Sequence, residues 1–376
     1  MRISTIEEAV QSALQEARAA EAKGTYGVGG ALIDLRSGRL LKTMESSVVV
    51  NGRLIDPTAH GERKLVDWYF AQENRADLVK PQDAAIITSL DPCCMCTGSI
   101  LIGGFRAIIA APDDKAGINY DGTNSFLPFD RPLQTFYYPG VRDGEFAREE
   151  YGVPPDIFQQ TDLRAETHRA CLDAFVSGAA NARRVIREMN IPVEKLQDLA
   201  ASAETPLRAL YPYALGYRAP KRGCPDRKLL PYLEEAAHAD AANGGDGDAA
   251  AFLDYFGNLL ICMPGQKNRS PIRTAYMEMI RAYSRLRYDL AQENASALAW
   301  LHEPKHGTIV LYRGFDKGAR GLVDLGAYGS TISGGRPVDR NLLCVHERIP
   351  GDALATFIAN MPPRYRDLIR PQRMFA

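Results

Sequence analysis

The chain has 376 residues, with 45 Lys+Arg against 46 Asp+Glu and a net charge of −1 at neutral pH. Hydrophobic residues make up 45% and charged residues 24%, the balance of an ordinary soluble chain, which excludes a fibrous or largely disordered polymer. Without a basic excess, a protein that wraps nucleic acid over its whole surface is disfavoured, and only a local basic patch stays open. At about 100–200 residues per domain, the length predicts two domains. No run approaches the roughly 18–20 apolar residues that span a bilayer. The N-terminal stretch is charged and lacks an apolar core, so the sequence is read as cytoplasmic and without a membrane partner. Cys93, Cys94 and Cys96 cluster, and the total of seven cysteines is odd. That pattern fits a reducing compartment and a metal or catalytic site better than a disulfide scaffold.

In chain order, Thr5 and Glu8 form a capping box, and Ala9, Val10, Ala13 and Leu14 recur at helical spacing, so 5–22 is predicted as a helix. Residues 25–34 and 39–50, joined by Arg36-Ser37-Gly38, read as a hairpin. Asp56-Pro57-Thr58 opens a helix over 59–76. The apolar run 84–89 reads as a buried strand, Asp91-Pro92 breaks it, and 93–103 is the next helix, closed by Gly103-Gly104. Another buried strand follows at 106–111. This order predicts a sheet covered by helices. Residues 112–160, rich in Asp, Gly, Pro and aromatics, read as a long loop of the kind that forms lids. A helix over 163–189 closes a first domain, 1–190. The second domain, 191–376, reads as mainly helical over 195–300, including one long helix at 271–298. Strands follow from about 307, and a last helix covers 352–360. No internal repeat is legible between the halves.

Two short segments carry the chemistry. The first is Asp56-Pro57-Thr58-Ala59-His60-Gly61-Glu62 and the second is Pro92-Cys93-Cys94-Met95-Cys96. Zinc takes thiolate and imidazole ligands tetrahedrally, and a catalytic zinc keeps one position open for water. His60, Cys93 and Cys96 fill three positions. Cys93 and Cys96 are three apart at a predicted helix start, where the dipole and free N–H groups favour thiolates. Glu62 is displaced from the ligands and suits the role of catalytic proton shuttle.

H-x-E followed by P-C-x-x-C is the signature of zinc deaminases, and the chain resembles the zinc-dependent cytidine/cytosine deaminase superfamily. Asp56–His60 is similar to the bacterial tRNA adenosine deaminases and guanine deaminases. His60-Gly61-Glu62 and Met95-Cys96-Thr97-Gly98 resemble the fungal-type cytosine deaminases. Over about 1–190 the resemblance implies an α/β fold, a three-layer α/β/α cytidine-deaminase-like domain with a mixed central sheet. A mainly helical α+β domain would follow it. The resemblance implies Zn2+ as cofactor, and hydrolysis of an amine from a nucleobase-like small molecule with release of ammonia. It also implies that Asn51 hydrogen-bonds the substrate and that Ser89–Leu90 offers a backbone contact. Asp113 reads equally as pocket wall or solvated turn. Phe126, with Phe129, Phe136, Tyr137 and Tyr138, reads as a stacking face or as the loop's own anchor.

The less favoured alternative is a deaminase acting on a base in RNA or single-stranded DNA, helped by basic residues at 183–184 and 221–228. Another is a deaminase-like fold whose second half binds or transfers. Arg313, then Ser330-Thr331-Ile332-Ser333, then Glu347 loosely resembles the order seen in ADP-ribosyltransferases. His168 reads as a surface histidine, and His302 and His306 as helix-end cations. The remaining cysteines read as packed thiols. The resemblance leaves the assembly open between a homodimer and contacts supplied by the added domain.

Overall fold

The computed structural model describes residues 2–73, 78–113, 115–118, 135–142, 147–199, 206–313, 318–332, 342–346 and 370–373, with 355–356 and 358–359. Helix α1 (Ile6–Ala22) starts with the Thr5–Glu8 capping box and buries Ile6, Ala9, Val10, Ala13, Leu14 and Ala17. Strand β1 (Gly29–Asp34) pairs antiparallel with β2 (Leu40–Glu45). Strands β3 (Val49–Val50) and β4 (Arg53–Leu54) form a small hairpin, and helix α2 (Gly61–Ala71) follows. Strand β5 (Ala84–Thr88), helix α3 (Cys94–Gly103), strand β6 (Arg106–Ile109) and strand β7 (Phe136–Tyr137) come next. The sheet order is β2-β1-β5-β6-β7, with β1 antiparallel to β5 and the last three strands parallel. Parallel strands β8 (Val141–Arg142) and β9 (Leu163–Arg164) lead into helix α4 (Ala165–Glu188).

The three layers follow from the pleat. Leu32, Ile86, Ala107 and Ile109 face one core with residues of α2 and α3. Ala31, Ile33, Ala85, Ile87 and Ile108 face the other with α1 and Cys171 of α4. Side chains of successive residues leave a strand on opposite faces, so a strand covered on both sides is apolar throughout. The mixed central sheet and three-layer order match the expectation.

The second half has its own five-stranded sheet. Helix α5 (Leu230–Ala242) precedes strands β10 (Ala249–Leu253) and β11 (Leu259–Pro264). Helix α6 (Ala275–Glu293), strand β12 (Thr308–Tyr312), helix α7 (Ala319–Thr331), strand β13 (Leu342–His346) and strand β14 (Arg370–Arg373) complete it. The order is β11-β10-β12-β13-β14, antiparallel across the first three and parallel across the last three. It reproduces the first sheet strand for strand. The long helix expected at 271–298 is Ala275–Glu293, with a separate turn at Ala297–Trp300. The β10–β11 hairpin falls inside the stretch read as helical. Both its strands are buried, continuous apolar runs, and such runs show no period that separates strand from helix.

One core joins the halves: Cys94, Met95 and Ile100 of α3 pack with Leu322, Val323 and Leu325 of α7. The boundary expected near 190 lies just beyond α4. The aromatic loop reading is corrected in part. Phe136 and Tyr137 are buried in the sheet, whereas Phe126 and Phe129 lie outside the described residues, as do 119–134 of the expected lid and most of the last helix. His168, His302 and His306 are buried rather than exposed, and burial lowers each to about 4 and keeps it neutral. Cys171 and Cys262 are packed thiols, but Cys224 is exposed. Among the described residues, no helix is long and apolar enough to cross a membrane.

Candidate metal centre

Two helix starts build the site. His60 is the N-cap residue of α2 and Cys93 that of α3, both in extended backbone with no capping side-chain bond. Their side chains are therefore free to face each other. Gly61 lets α2 begin against the sheet, because a Cβ there would lie 2.8 Å from Met44 O. His60 Nδ1 is 3.6 Å from Cys93 Sγ and 3.5 Å from Cys96 Sγ. The ligand atoms of His60, Cys93 and Cys96 all lie within 4.8 Å of one another. Two soft sulfurs and an imidazole so spaced are a zinc donor set with one tetrahedral position left over. The Cys96 thiol hydrogen-bonded to it, together with the positive His60, holds Cys93 well below the usual thiol range, while burial pushes Cys96 up.

Glu62 sits one turn-position past His60 and is 2% exposed. Its Oε1 accepts from the Thr88 hydroxyl at 3.2 Å, and its Oε2 is buried without a hydrogen-bond partner. Burial raises this carboxyl, and neighbouring His60 offsets the effect only in part. An unpartnered buried carboxylate oxygen costs stability, so its retention beside three metal-type ligands points to a task.

A cavity of about 70 Å³ opens over the centre. That is several times the roughly 10–15 Å³ needed to admit one water, so the cavity has room for more than one. His60, Glu62, Cys93 and Asp91 line it, as do Tyr26 and Phe175. Asp113 also lines it while its Oδ1 accepts from Lys115 N and Ala116 N, so it is pocket wall and turn at once. Leu90 lines the cavity, whereas the Ser89 hydroxyl is turned to Gly29 N at 3.0 Å. Asn51 is not brought to the centre. It is exposed at the tip of the β3–β4 hairpin with φ 50° and acts as a turn residue there.

Sequence reasoning missed Asp91, Arg183 and Ser330. The Tyr138 hydroxyl donates to Asp91 Oδ1 at 3.1 Å, and the Arg148 guanidinium lies 5.5 Å over the Tyr138 ring. Asp91 was legible only as part of the Asp91-Pro92 break that ends a strand. Ser330 comes from the second half, at the end of α7, and nothing in the one-dimensional pattern brings it here. Of the transferase-like order, Arg313 donates to Asp246 O at 2.6 Å and Ser330 lines this pocket, while Ser333 and Glu347 lie outside the described residues.

Soft ligands at two helix starts under a mixed sheet define the class, a zinc-binding α/β domain. Residues 3–111 match the family model of the cytidine and deoxycytidylate deaminase zinc-binding region, so this stretch is a domain of the zinc-dependent deaminase superfamily. A structure described as a tRNA:A34 deaminase is 25% identical over 30% of this chain and 82% of that one, with a TM-score of 0.25. Guanine deaminase from Nitrosomonas europaea is 18% identical over 48% of this chain and 87% of that one, with a TM-score of 0.28. No curated protein matches the chain.

Proposed function

We propose that the protein is a zinc-dependent hydrolytic deaminase of an amino-substituted nucleobase or a related small heterocycle, releasing ammonia. The observation that carries this reading is the buried, unpartnered Glu62 Oε2 beside the His60–Cys93–Cys96 set. His60, Cys93 and Cys96 would hold the zinc. When bound, the zinc supplies Lewis-acid activation of water at neutral pH. Glu62 takes one proton from the attacking water and delivers it to a ring nitrogen; it then takes the second, from the hydroxyl left on the ring carbon, and delivers it to the amine as the carbon–nitrogen bond breaks and the carbonyl forms. Its raised affinity for protons suits both transfers, and the Thr88 hydroxyl fixes its other oxygen. Asp91, held by Tyr138, accepts from N–H groups of the heterocycle, and Tyr26 and Phe175 flank the ring. The small cavity favours a free base over a polynucleotide.

The test is ammonia release from cytosine, guanine, adenine, their nucleosides, and pterin- and triazine-like amines, with Glu62→Ala as control. Release that the variant abolishes while zinc is retained supports the reading. Silence across the panel with zinc bound, together with release from an RNA or single-stranded DNA oligonucleotide, would replace it with the polynucleotide reading.

A further inference from the structure

The two halves repeat one another in detail. Apart from the small β3–β4 hairpin in the first and the turn at Ala297–Trp300 in the second, both run helix, strand, strand, helix, strand, helix, strand, strand: α1-β1-β2-α2-β5-α3-β6-β7 and α5-β10-β11-α6-β12-α7-β13-β14. Strand order and directions agree throughout. The register slips at the same place, between Leu32 and Ile33 in β1 and between Phe252 and Leu253 in β10. The turns after these strands both fold onto an aspartate, the first being one residue longer. Asp34 Oδ1 accepts from Arg36 N and Ser37 N, and Asp254 Oδ1 accepts from Phe256 N and Asn258 N. Sheet order, direction, bulge and turn are separate choices, so their agreement marks a repeat.

The helix caps then give the correspondence at the centre. Where α2 is capped by His60, α6 is capped by Thr274. Where α3 is capped by Cys93, α7 is capped by Gly318. The second position of α2 is Glu62 and that of α6 is Tyr276; the third position of α3 is Cys96 and that of α7 is Gly321. No imidazole, thiol or carboxylate stands at any of the four positions. The Thr274 hydroxyl accepts from Met277 N and donates to Asp324 at 2.5 Å, and the Tyr276 ring is fully buried. Two glycines and a committed hydroxyl offer zinc nothing.

The copies meet through their equivalent helices. A Cβ on Gly98 of α3 would lie 2.6 Å from Ala319 O, and one on Gly326 of α7 would run into the Met95 backbone, so the helices touch along their backbones. Beside this contact, Asp67, at the seventh position of α2, meets Arg281, at the seventh position of α6, at 3.3 Å. Equivalent residues that pair across a contact mark a local two-fold axis. Running past α3, the last turn of α7 brings Gly329 and Ser330 into the lining of the pocket that also holds Glu62 and Asp91.

We infer that residues 230–373 are a degenerate second copy of the deaminase-like half, serving as a built-in partner that binds no zinc, and that Ser330 is a specificity-determining residue of the pocket. The role of Ser330 rests on the proposed function; the placement does not. Ser330 Oγ, which donates to Gly326 O at 3.1 Å, adds a small polar group from the second half to a pocket otherwise lined by the first, apart from Gly329.

Zinc content tests the degenerate copy, and two further readouts test Ser330. Zinc content is expected at one per chain and at none in His60→Ala; two per chain, or zinc remaining in that variant, overturns the degenerate copy. With the base that the panel identifies, Ser330→Ala is expected to raise KM about 2–10-fold, and Ser330→Trp about 30-fold or more, with kcat changed much less and zinc unchanged. The second readout needs no substrate: iodoacetamide labelling of Cys93 in zinc-stripped protein, mapped by mass spectrometry. Ser330→Trp is expected to slow it at least fivefold, and Ser330→Ala to leave it unslowed. If no base is turned over but labelling is slowed, the proposed function falls and the pocket placement stands. If turnover occurs while KM and labelling both ignore Ser330, the specificity role falls.

Discussion

The first half and the second half use the same frame for different ends. In the first, helix caps carry His60 and Cys93 and leave a buried carboxylate oxygen unpaired. In the second, the same caps are Thr274 and Gly318, and apolar packing closes in around Tyr276. The backbone scaffold is common to both. Chemistry depends on four side chains at helix starts, and a fold without them is only a support.

The comparison breaks most sharply at the carboxylate. Glu62→Gln is expected to lower turnover about 10²–10⁴-fold with zinc retained, the range for losing a general acid–base, while Tyr276→Phe at the matching position leaves turnover unchanged. Steady-state kinetics beside metal analysis reads both. Cys96→Ala is expected to remove the zinc, whereas Gly321→Ala is expected to leave it in place.

The contact between the copies comes next. Gly326→Val inserts a side chain against the Met95 backbone and is expected to cost about 1–3 kcal/mol or more in urea unfolding. Gly52→Ala, where nothing lies within 4 Å but φ is +69°, is expected to cost about 1 kcal/mol.

Acid should weaken the second half more than the first. His302 and His306, both in the second half, and His168 in the first are each lowered to about 4, so the unfolded chain binds more protons between about pH 4 and 6.5. Their contribution is complete above about 6.5 and is lost as pH falls through that window, by at most about 1.4 kcal/mol per pH unit per histidine. Asp254, pushed up to about 6 by burial, works in the opposite sense. Unfolding free energies at pH 7 and 5 should show the net loss, and His302→Gln should reduce it.

The smallest effect is expected at the ion cluster that joins the copies. Arg281 meets Asp56, Asp67 and Glu278, but Arg63 and Arg273 also serve Asp67. Arg281→Met is expected to cost about 1 kcal/mol, less in high salt.

The sequence made the catalytic-type half legible because its signals are local. The Thr5–Glu8 box, the Pro92 break and the cysteine spacing each act within a few residues. Glu62 and the zinc ligands were legible for the same reason. The second half hid its sheet because buried strands lose their alternation. One signal was present: Ala31-Leu32-Ile33-Asp34 and Gly38-Arg39-Leu40-Leu41 return as Ala251-Phe252-Leu253-Asp254 and Gly257-Asn258-Leu259-Leu260. It is faint because the repeat keeps turn and core positions and discards the ligands. Asp91 and Ser330 were illegible because their place in the pocket is set by tertiary contacts, with Tyr138 for one and along α3 for the other.

The backbone contact of α3 with α7 has a consequence for how the pocket behaves on dilution. In an assembly of separate chains, a wall supplied by a neighbour dissolves as concentration falls. Here the wall is tethered by the same polypeptide, at an effective concentration of order millimolar. Specific activity should therefore hold steady into the nanomolar range. The two sides of the contact can also change one at a time, since a substitution at Gly326 is felt once, not twice.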